Sequence, residues 1–534
     1  MNYKVQMSSV INKVISPMEH APLLFLVLYV SMVLLEVLGC FLFDSHINYA
    51  KALNISVISW LVSYTLVLVH SILPKMLRSI YRRTMYVISV VHFIVNLACI
   101  CTYHQLFDDD IAAVIKGSNW GEIYEYLLTY CNITNVSLIV VAFTFFIVLF
   151  RYLKGWTIVF RTWNRIIICV LLFLSFAVLL RRPQYVTDLF VCKYFVFFSL
   201  EETPDLKKYK TSPLLSLCNN DTPDNIVIIF GESFSKSHSS LYGYEKNTNP
   251  YLVQLKADSS LLVYNNVTSP AINTINCFKS IMSTYRQEYG DSIKWYTCTT
   301  LLEILENIGY ETFWISNQSK KGLYDNIIGS YSELCKNKFF IGDIYAGMKR
   351  RNLDGEVLPI ISRESQNKCE KNAFFVHLMG SHTAFSHRYP KEFNIFQYSD
   401  YMEKPENQRQ VLAEYDNSIL YNDYVVYNII EEFVNKEAVV LYFSDHGLDV
   451  FDTSNDYIGH ARKTVSHSIV VAKQIPFMIW LSDKYKLKYD NDVERMKNSI
   501  NKNFCTDNII YTIMDIAGVR FKENKDVETF SLFD

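Results

Sequence analysis

Five apolar runs, at residues 23–43, 53–73, 85–101, 136–150 and 166–180, set the first constraint on what this chain can become. Each is long enough, counting its edges, to cross a hydrocarbon layer about 30 Å thick, so each reads as a transmembrane helix. The runs are confined to the first third of 534 residues, and they lift the mean hydropathy of the whole chain above zero, which is unusual for a soluble enzyme. The spacing therefore predicts a membrane-embedded bundle over residues 1–182. No small-residue cleavage pattern follows the first run, which makes it a retained anchor rather than a removed signal.

The cations orient this bundle. Lys75, Arg78, Arg82 and Arg83 lie between the second and third runs, and Arg151, Lys154, Arg161 and Arg165 between the fourth and fifth, marking both loops as cytoplasmic. The amino terminus is then inside, and everything after residue 180 is outside. Asp108-Asp109-Asp110 falls in an outward loop. Arg181-Arg182 opposes the rule but is outnumbered by the eight loop cations.

A net charge of −2 offers no basic face for nucleic acid, which is excluded as a partner. Cys40, Cys99, Cys101 and Cys169 lie in or beside the apolar runs, where packing explains them. Cys218, Cys277, Cys298, Cys335, Cys369 and Cys505 fall in the outward part, and their even number predicts disulfides in an oxidising compartment, Cys335 with Cys369 among them. No CxxC spacing supports a structural thiolate zinc site.

Residues 183–222 read as a connector: an aromatic-rich interfacial helix around 190–200, then a polar, flexible hinge broken by Pro204, Pro213 and Asn219-Asn220. From there to residue 534, short β-branched and aromatic runs alternate with helical patterns, the signature of a layered α/β domain.

Within residues 223–534, separate apolar runs end in residues that bind metal. Glu232 follows the run at 225–230, His377 and His382 follow 373–376, Asp445-His446 follows 438–443, and His460 comes a little later. In an open α/β sheet, ligands collect outside the carboxyl ends of the strands, so such units converge although they are remote in sequence. A single Asp-His-Gly reads as a turn. With Glu232 and the histidine segments in order, Glu232, Asp445 and His446 read instead as three zinc ligands, with a fourth position open for a reacting oxygen.

Further segments carry a family likeness. Gly231-Glu232-Ser233, Leu241-Tyr242-Gly243-Tyr244, Asn247-Thr248-Asn249-Pro250, Ser269-Pro270-Ala271-Ile272-Asn273-Thr274, Trp314-Ile315-Ser316-Asn317-Gln318-Ser319, His377-Leu378-Met379-Gly380-Ser381-His382, Tyr415-Asp416-Asn417-Ser418-Ile419, Ser444-Asp445-His446-Gly447 and Gly459-His460 occur in order. Together with the five runs, they resemble membrane-bound phosphoethanolamine transferases of the alkaline phosphatase and sulfatase superfamily. The resemblance implies an amino-terminal five-helix transmembrane bundle plus an α/β/α sandwich catalytic domain with a mainly parallel sheet. It assigns the fourth ligand position and the nucleophile to Thr274, with Ser233 the rival, and implies one Zn2+ with room for a second.

By the same likeness His382 and His460 hold phosphate oxygens or move the proton, His377 stands behind them or in a second metal site, and Ser319 and Lys321 donate to the phosphate. Glu122 resembles a position that holds the donor head group, although Val114 replaces a polar residue nearby. Glu36, inside the first span, is costly there unless paired or facing water, and so reads as a functional or a snorkelling carboxylate. His238 reads as a surface or loop-packing residue.

The implied reaction moves phosphoethanolamine from phosphatidylethanolamine to lipopolysaccharide (a lipid A phosphate or a core sugar) or another envelope glycan, through a phosphothreonine. The implied setting is a multi-pass monomer of the bacterial inner membrane with its catalytic domain in the periplasm. Phosphoglycerol transfer, metal-dependent phosphodiester or sulfate ester hydrolysis, and a catalytically dead membrane receptor are the competing readings. The absence of a Cys-x-Pro-x-Arg segment weighs against a sulfatase nucleophile. Leu448, after the Asp-His-Gly segment, and the modest number of cysteines depart from the family pattern.

Overall fold

A computed structural model describes residues 2–42, 49–108, 111–112, 114–115, 118, 120–182, 204–211, 213, 215–217, 221–320, 327–344, 352–367, 369–455, 457–460, 466–522 and 530–534. The chain forms two compact units, one of Met1–Ala112 with Tyr130–Leu200 and the other of Ala113–Thr129 with Glu201–Asp534.

In the first unit, helix α1 (Asn2–His20) precedes α2 (Pro22–Leu42), α3 (Tyr49–Ile72) and α4 (Lys75–Tyr103). After α5 (Trp120–Tyr130) come α6 (Ile133–Tyr152) and α7 (Thr162–Arg181). Among the described residues, α2, α3, α4, α6 and α7 are the five helices long and apolar enough to span a membrane, in agreement with the five runs. The sequence reading assigned no element to α1. Its Ile15 and Met18 are buried with Leu24, Ile55 and Ile58. Glu19 closes it by accepting from Arg165 Nη2 at 2.8 Å and from the backbone N–H of Phe160 at 2.9 Å. Glu36 is buried on α2.

The second unit is built on a seven-stranded sheet. Its strands are β1 (Asn225–Gly231), β2 (Leu261–Val263), β3 (Glu311–Ser316), β4 (Asn337–Phe340), β5 (Asn372–His377), β6 (Ala438–Ser444) and β7 (Phe477–Leu481), in spatial order β2-β7-β6-β1-β5-β3-β4. Strands β6, β1, β5, β3 and β4 pair in parallel and β7 runs against its neighbours, so the sheet is mainly parallel as expected.

Central strands of such a sheet are covered on both faces and read as unbroken apolar runs. Strand β1 obeys this: Ile226, Val227, Ile228, Ile229 and Phe230 are all fully buried. Alternate residues face opposite layers. Ile226, Ile228 and Phe230 pack with Phe278, Trp314 and Phe375 on one side. Val227 and Ile229 pack with Tyr415, Ile419 and Val426 of helix α9 (Glu406–Glu431) on the other. Each buried side chain of this size contributes about 1.5–3 kcal/mol.

Two expectations fail here. All described cysteines are free, including Cys277, Cys298, Cys335, Cys369 and Cys505, so the expected disulfide between Cys335 and Cys369 does not form. Cys335 is buried in the core while Cys369 is exposed, and burial pushes the Cys335 thiol well above its ordinary pKa. The polar end of the connector is also no free hinge. Leu215–Leu217 pairs antiparallel with Val519–Phe521, Lys207 and Lys210 bind Glu333 and Glu306 at 3.0 and 3.2 Å, and Thr211 donates its N–H to Glu303. The expected interfacial helix around 190–200 lies outside the described residues.

Candidate active site

The site sits at the carboxyl ends of β1, β5 and β6. The register pairs Gly231 with Ser444 and Phe230 with His377. Glu232, Asp445 and the end of β5 are thereby drawn into one place, and Asp445 N–H donates to Gly231 O at 3.0 Å. Thr274 opens helix α8 (Thr274–Ile281), whose Asn273 cap accepts from the N–H of Asn276 at 3.0 Å. The helix start adds a partial positive charge where a phosphoryl group would develop negative charge.

Four side chains converge. His446 Nε2 lies 3.2 Å from Glu232 Oε1 and 3.6 Å from Asp445 Oδ2. Thr274 Oγ1 donates to Glu232 Oε2 at 3.1 Å and lies 3.3 Å from His446 Nε2. One oxygen or nitrogen of Glu232, Asp445 and His446 apiece falls within 4.8 Å of the others, and all three residues are buried.

This donor set fits a divalent cation. In a tetrahedron with ligands about 2.1 Å from the ion, neighbouring ligand atoms stand about 3.4 Å apart, close to the separations around His446 Nε2. His446 Nδ1 donates to Gly447 O at 2.8 Å, which commits that proton to the backbone and presents Nε2 to the site. Among the described residues none donates a hydrogen bond to the buried Asp445 Oδ2, which suits a cation ligand.

The electrostatics agree. Burial raises the pKa of Asp445 and the Glu232 charge raises it further. For Glu232 burial acts in the same direction, yet the hydrogen bond and charge of His446 outweigh it and hold the carboxyl below its ordinary value. Burial alone would lower His446, but the charges of Asp445 and Glu232 push it up to about 9. Below that pH a proton therefore occupies Nε2, and a cation must displace it. The apparent metal affinity should rise by about ten- to a hundredfold per pH unit between pH 6 and 8, with one proton released from His446 and up to one more from Asp445, whose carboxyl is also raised. Calorimetric titration in buffers of different ionisation enthalpy checks this, and affinity independent of pH would contradict it.

The histidines surround this group. His377 is fully buried, its ring packs on Phe278 at 5.3 Å, and Ser316 Oγ lies 3.2 Å from Nδ1. Its Nε2 has no partner among the described residues, and burial lowers its pKa to about 4, so it is neutral. His460 Nδ1 donates to Ile272 O at 2.7 Å, and its ring stands 4.8 Å from that of His446. Burial and the His446 charge lower it to about 3, leaving Nε2 as an acceptor. His382, in the loop after β5, carries a buried Nδ1 with no partner among the described residues.

That loop is fastened to Glu232. Leu378 N–H donates to Phe230 O at 3.0 Å and Ser381 N–H to Glu232 O at 2.9 Å. Gly380 has φ +51°, and a Cβ there would meet Glu232 O at 2.6 Å and N at 2.7 Å. Gly380→Ala should cost about 1–2 kcal/mol in backbone strain alone and displace Glu232. The expected result is loss of metal binding at a modest drop in Tm, and an alanine variant that binds metal as tightly as the parent would contradict it.

Several positioning residues escaped the sequence reading. Asp354 accepts from the N–H groups of Met379 and Gly380 at 2.7 and 2.8 Å and from Asn317 Nδ2 at 2.8 Å. Tyr415 OH donates to Ser233 O and accepts from Ser235 N–H, both at 2.8 Å, which clamps the turn where Ser233 takes φ 56°. His238 is no surface residue: it is buried with Nδ1 2.8 Å from Asp416 Oδ1, and Tyr244 and Tyr401 also donate to Asp416. The Tyr415-Asp416 segment was visible in the sequence, whereas nothing local marks Asp354.

Of the remaining sequence candidates, Ser233 Oγ is buried and donates to Glu232 Oε1 at 2.8 Å. Ser319 lies in the described part of its loop, with its backbone beside Gly342. Lys321 and the side chain of Glu122 fall outside the described residues, although Glu122 itself is on α5.

With this geometry in place, residues 224–519 match the family model for Sulfatase. The chain belongs to the sulfatase family. Among curated relatives of this sulfatase-family chain is the phosphoethanolamine transferase EptC of Escherichia coli (strain K12), 25% identical over 470 residues that cover 82% of this chain and 80% of that protein. The phosphoethanolamine transferase CptA of Salmonella typhimurium is 26% identical over 311 residues, covering 57% of this chain and 52% of its own length. The solved periplasmic domain of Escherichia coli EptC in complex with Zn is 26% identical, with a TM-score of 0.56 over 61% of this chain and 90% of that one. The integral membrane EptA of Neisseria meningitidis shares the fold across 96% of this chain and 98% of its own, with a TM-score of 0.68 at 19% identity. These likenesses support a membrane-embedded, multi-pass transferase with a soluble carboxyl-terminal domain.

Proposed function

We propose that this sulfatase-family chain transfers phosphoethanolamine from phosphatidylethanolamine to lipopolysaccharide, at a lipid A phosphate or a core sugar, with Thr274 as the nucleophile. The observation that carries this reading is the Thr274 hydroxyl, held 3.1 Å from Glu232 Oε2 and 3.3 Å from His446 Nε2 at a helix start. Ser233, its rival, is more deeply buried, whereas Thr274 is only partly buried.

Glu232, Asp445 and His446 would hold Zn2+, and His377 would serve a second ion where one binds. A bound cation would make the threonine oxygen a usable nucleophile near neutral pH and offset charge on the phosphoryl oxygens. In the first step Thr274 Oγ1 bonds to phosphorus as the bond from phosphorus to the diacylglycerol oxygen breaks, and the threonine proton is carried by His382 or His460 to that leaving oxygen. In the second step an acceptor oxygen attacks the phosphothreonine and frees Thr274. His382 and His460 would hold the phosphate oxygens or carry the proton given up by the acceptor hydroxyl to the Thr274 oxygen. Ser319, Lys321 and Glu122 would complete phosphate and head-group binding, and the site would face the periplasm from the inner membrane.

Lipopolysaccharide from cells that contain or lack this protein, fed phosphatidylethanolamine labelled in the head group, tests the reading by mass spectrometry. Labelled phosphoethanolamine on lipopolysaccharide only when the protein is present is the expected result. Label released as free phosphoethanolamine, with none on lipopolysaccharide, would overturn it in favour of hydrolysis.

A further inference from the structure

Helix α5 lies in sequence between two membrane-spanning helices, yet its residues up to Thr129 cluster with the second unit. Trp120, Tyr124 and Leu127, spaced as one helical stripe, are exposed. Glu125 is on a different face and is only 19% exposed at its side chain. Its carboxylate takes Arg388 Nη2 on one oxygen and stands 3.2 Å from His387 Nδ1 on the other.

Arg388 is nearly enclosed, with 5% of its side chain exposed. Its guanidinium also donates from Nε to His382 O at 3.2 Å and from Nη2 to Thr383 O at 3.0 Å. The planar fork thus spends its donors on one carboxylate from α5 and two carbonyls of the loop that carries His382. A guanidinium this enclosed needs an anion, and among its described hydrogen-bond partners only Glu125 supplies one.

We propose that Glu125 is a positioning residue, which acts through Arg388 on the backbone of His382 and Thr383 and so sets the place of the His382 ring in the site. This rests on His382 acting in the transfer proposed above. Its described contacts are to Arg388 and His387, on the loop that carries His382. Its contribution is alignment, and misplacement of a reacting group by about 1 Å can cost about a hundredfold in rate.

The test uses the full-length protein in vesicles containing head-group-labelled phosphatidylethanolamine. Glu125→Gln should lower kcat by about ten- to a hundredfold while the KM for the lipid donor stays within about twofold. Glu125→Asp, which keeps the charge, should recover most of the loss. Should Glu125→Gln fail to fold, Arg388→Lys keeps the ion pair but cannot fork to both carbonyls, and it should show the same fall in kcat. Glu125→Gln, or this stand-in, with an unchanged kcat would overturn the proposal. So would a loss carried by a raised KM, because that would make Glu125 a contact to the lipid head group. Failure of the unmutated protein to transfer label would instead strike the reaction itself.

Discussion

Thr274→Ala should abolish transfer, with a loss on the order of 10⁴- to 10⁶-fold, the range seen when a nucleophile is removed from a site that otherwise stays whole. The loss should come without unfolding. Thr274 is only partly buried, so losing its hydroxyl and methyl costs little packing, and its Cβ and backbone, which open helix α8 behind the Asn273 cap, survive the change. Glu232 and His446 keep each other as partners at 3.2 Å. Metal content and Tm should therefore remain close to those of the parent, while labelled lipid yields neither modified acceptor nor labelled protein. Thr274→Ser keeps the hydroxyl and should retain measurable transfer. Activity of the alanine variant within tenfold of the parent would remove Thr274 from the mechanism.

The second large effect concerns the metal and has an inverted sign in its absence. Glu232 and Asp445 are two buried carboxylates that share one imidazole, and the charge of Glu232 raises the pKa of Asp445. Without a cation this crowding destabilises the folded state. With a cation at about a thousand times its Kd, the folded state gains about 4 kcal/mol. Asp445→Asn should therefore raise the Tm of the metal-free protein and erase the further rise on adding zinc, while transfer falls below detection. Differential scanning calorimetry with and without zinc reads both signs. An asparagine variant that still gains stability from zinc as the parent does would show that the carboxylate is no ligand.

The parts of this molecule legible in the sequence are those in which one residue type has one physical use. Ile226 to Phe230 could only be a central strand, because five consecutive buried apolar residues suit a sheet covered on both faces. Glu232 and Asp445-His446 stood out because each ends such a run. The failures also have causes. Helix α1 is amphipathic and carries Pro17, so it lacked both the length of apolar sequence and the clean period of a span. An even count of cysteines invited pairing, yet Cys277 and Cys335 are core residues, and burial rather than bonding explains them. Asp354 holds backbone N–H groups of a loop remote in sequence and Glu125 holds the remote side chain of Arg388, so their local neighbours carry no trace of that use.

Lys321 and Glu122 rest on the likeness to phosphoethanolamine transferases. Gly380 is different, since its requirement follows from the 2.6 Å that a Cβ would leave to the Glu232 carbonyl. A family motif and a steric necessity coincide there, and the same loop carries His382.

The central claim is a covalent bond between phosphorus and the Thr274 oxygen. The most direct measurement mixes full-length protein with head-group-labelled phosphatidylethanolamine in the absence of acceptor, quenches in acid and maps the labelled peptide by mass spectrometry. The account predicts one added phosphoethanolamine on the peptide that contains Thr274. Label on Ser233, or turnover of the donor with no labelled protein at any time, would contradict it.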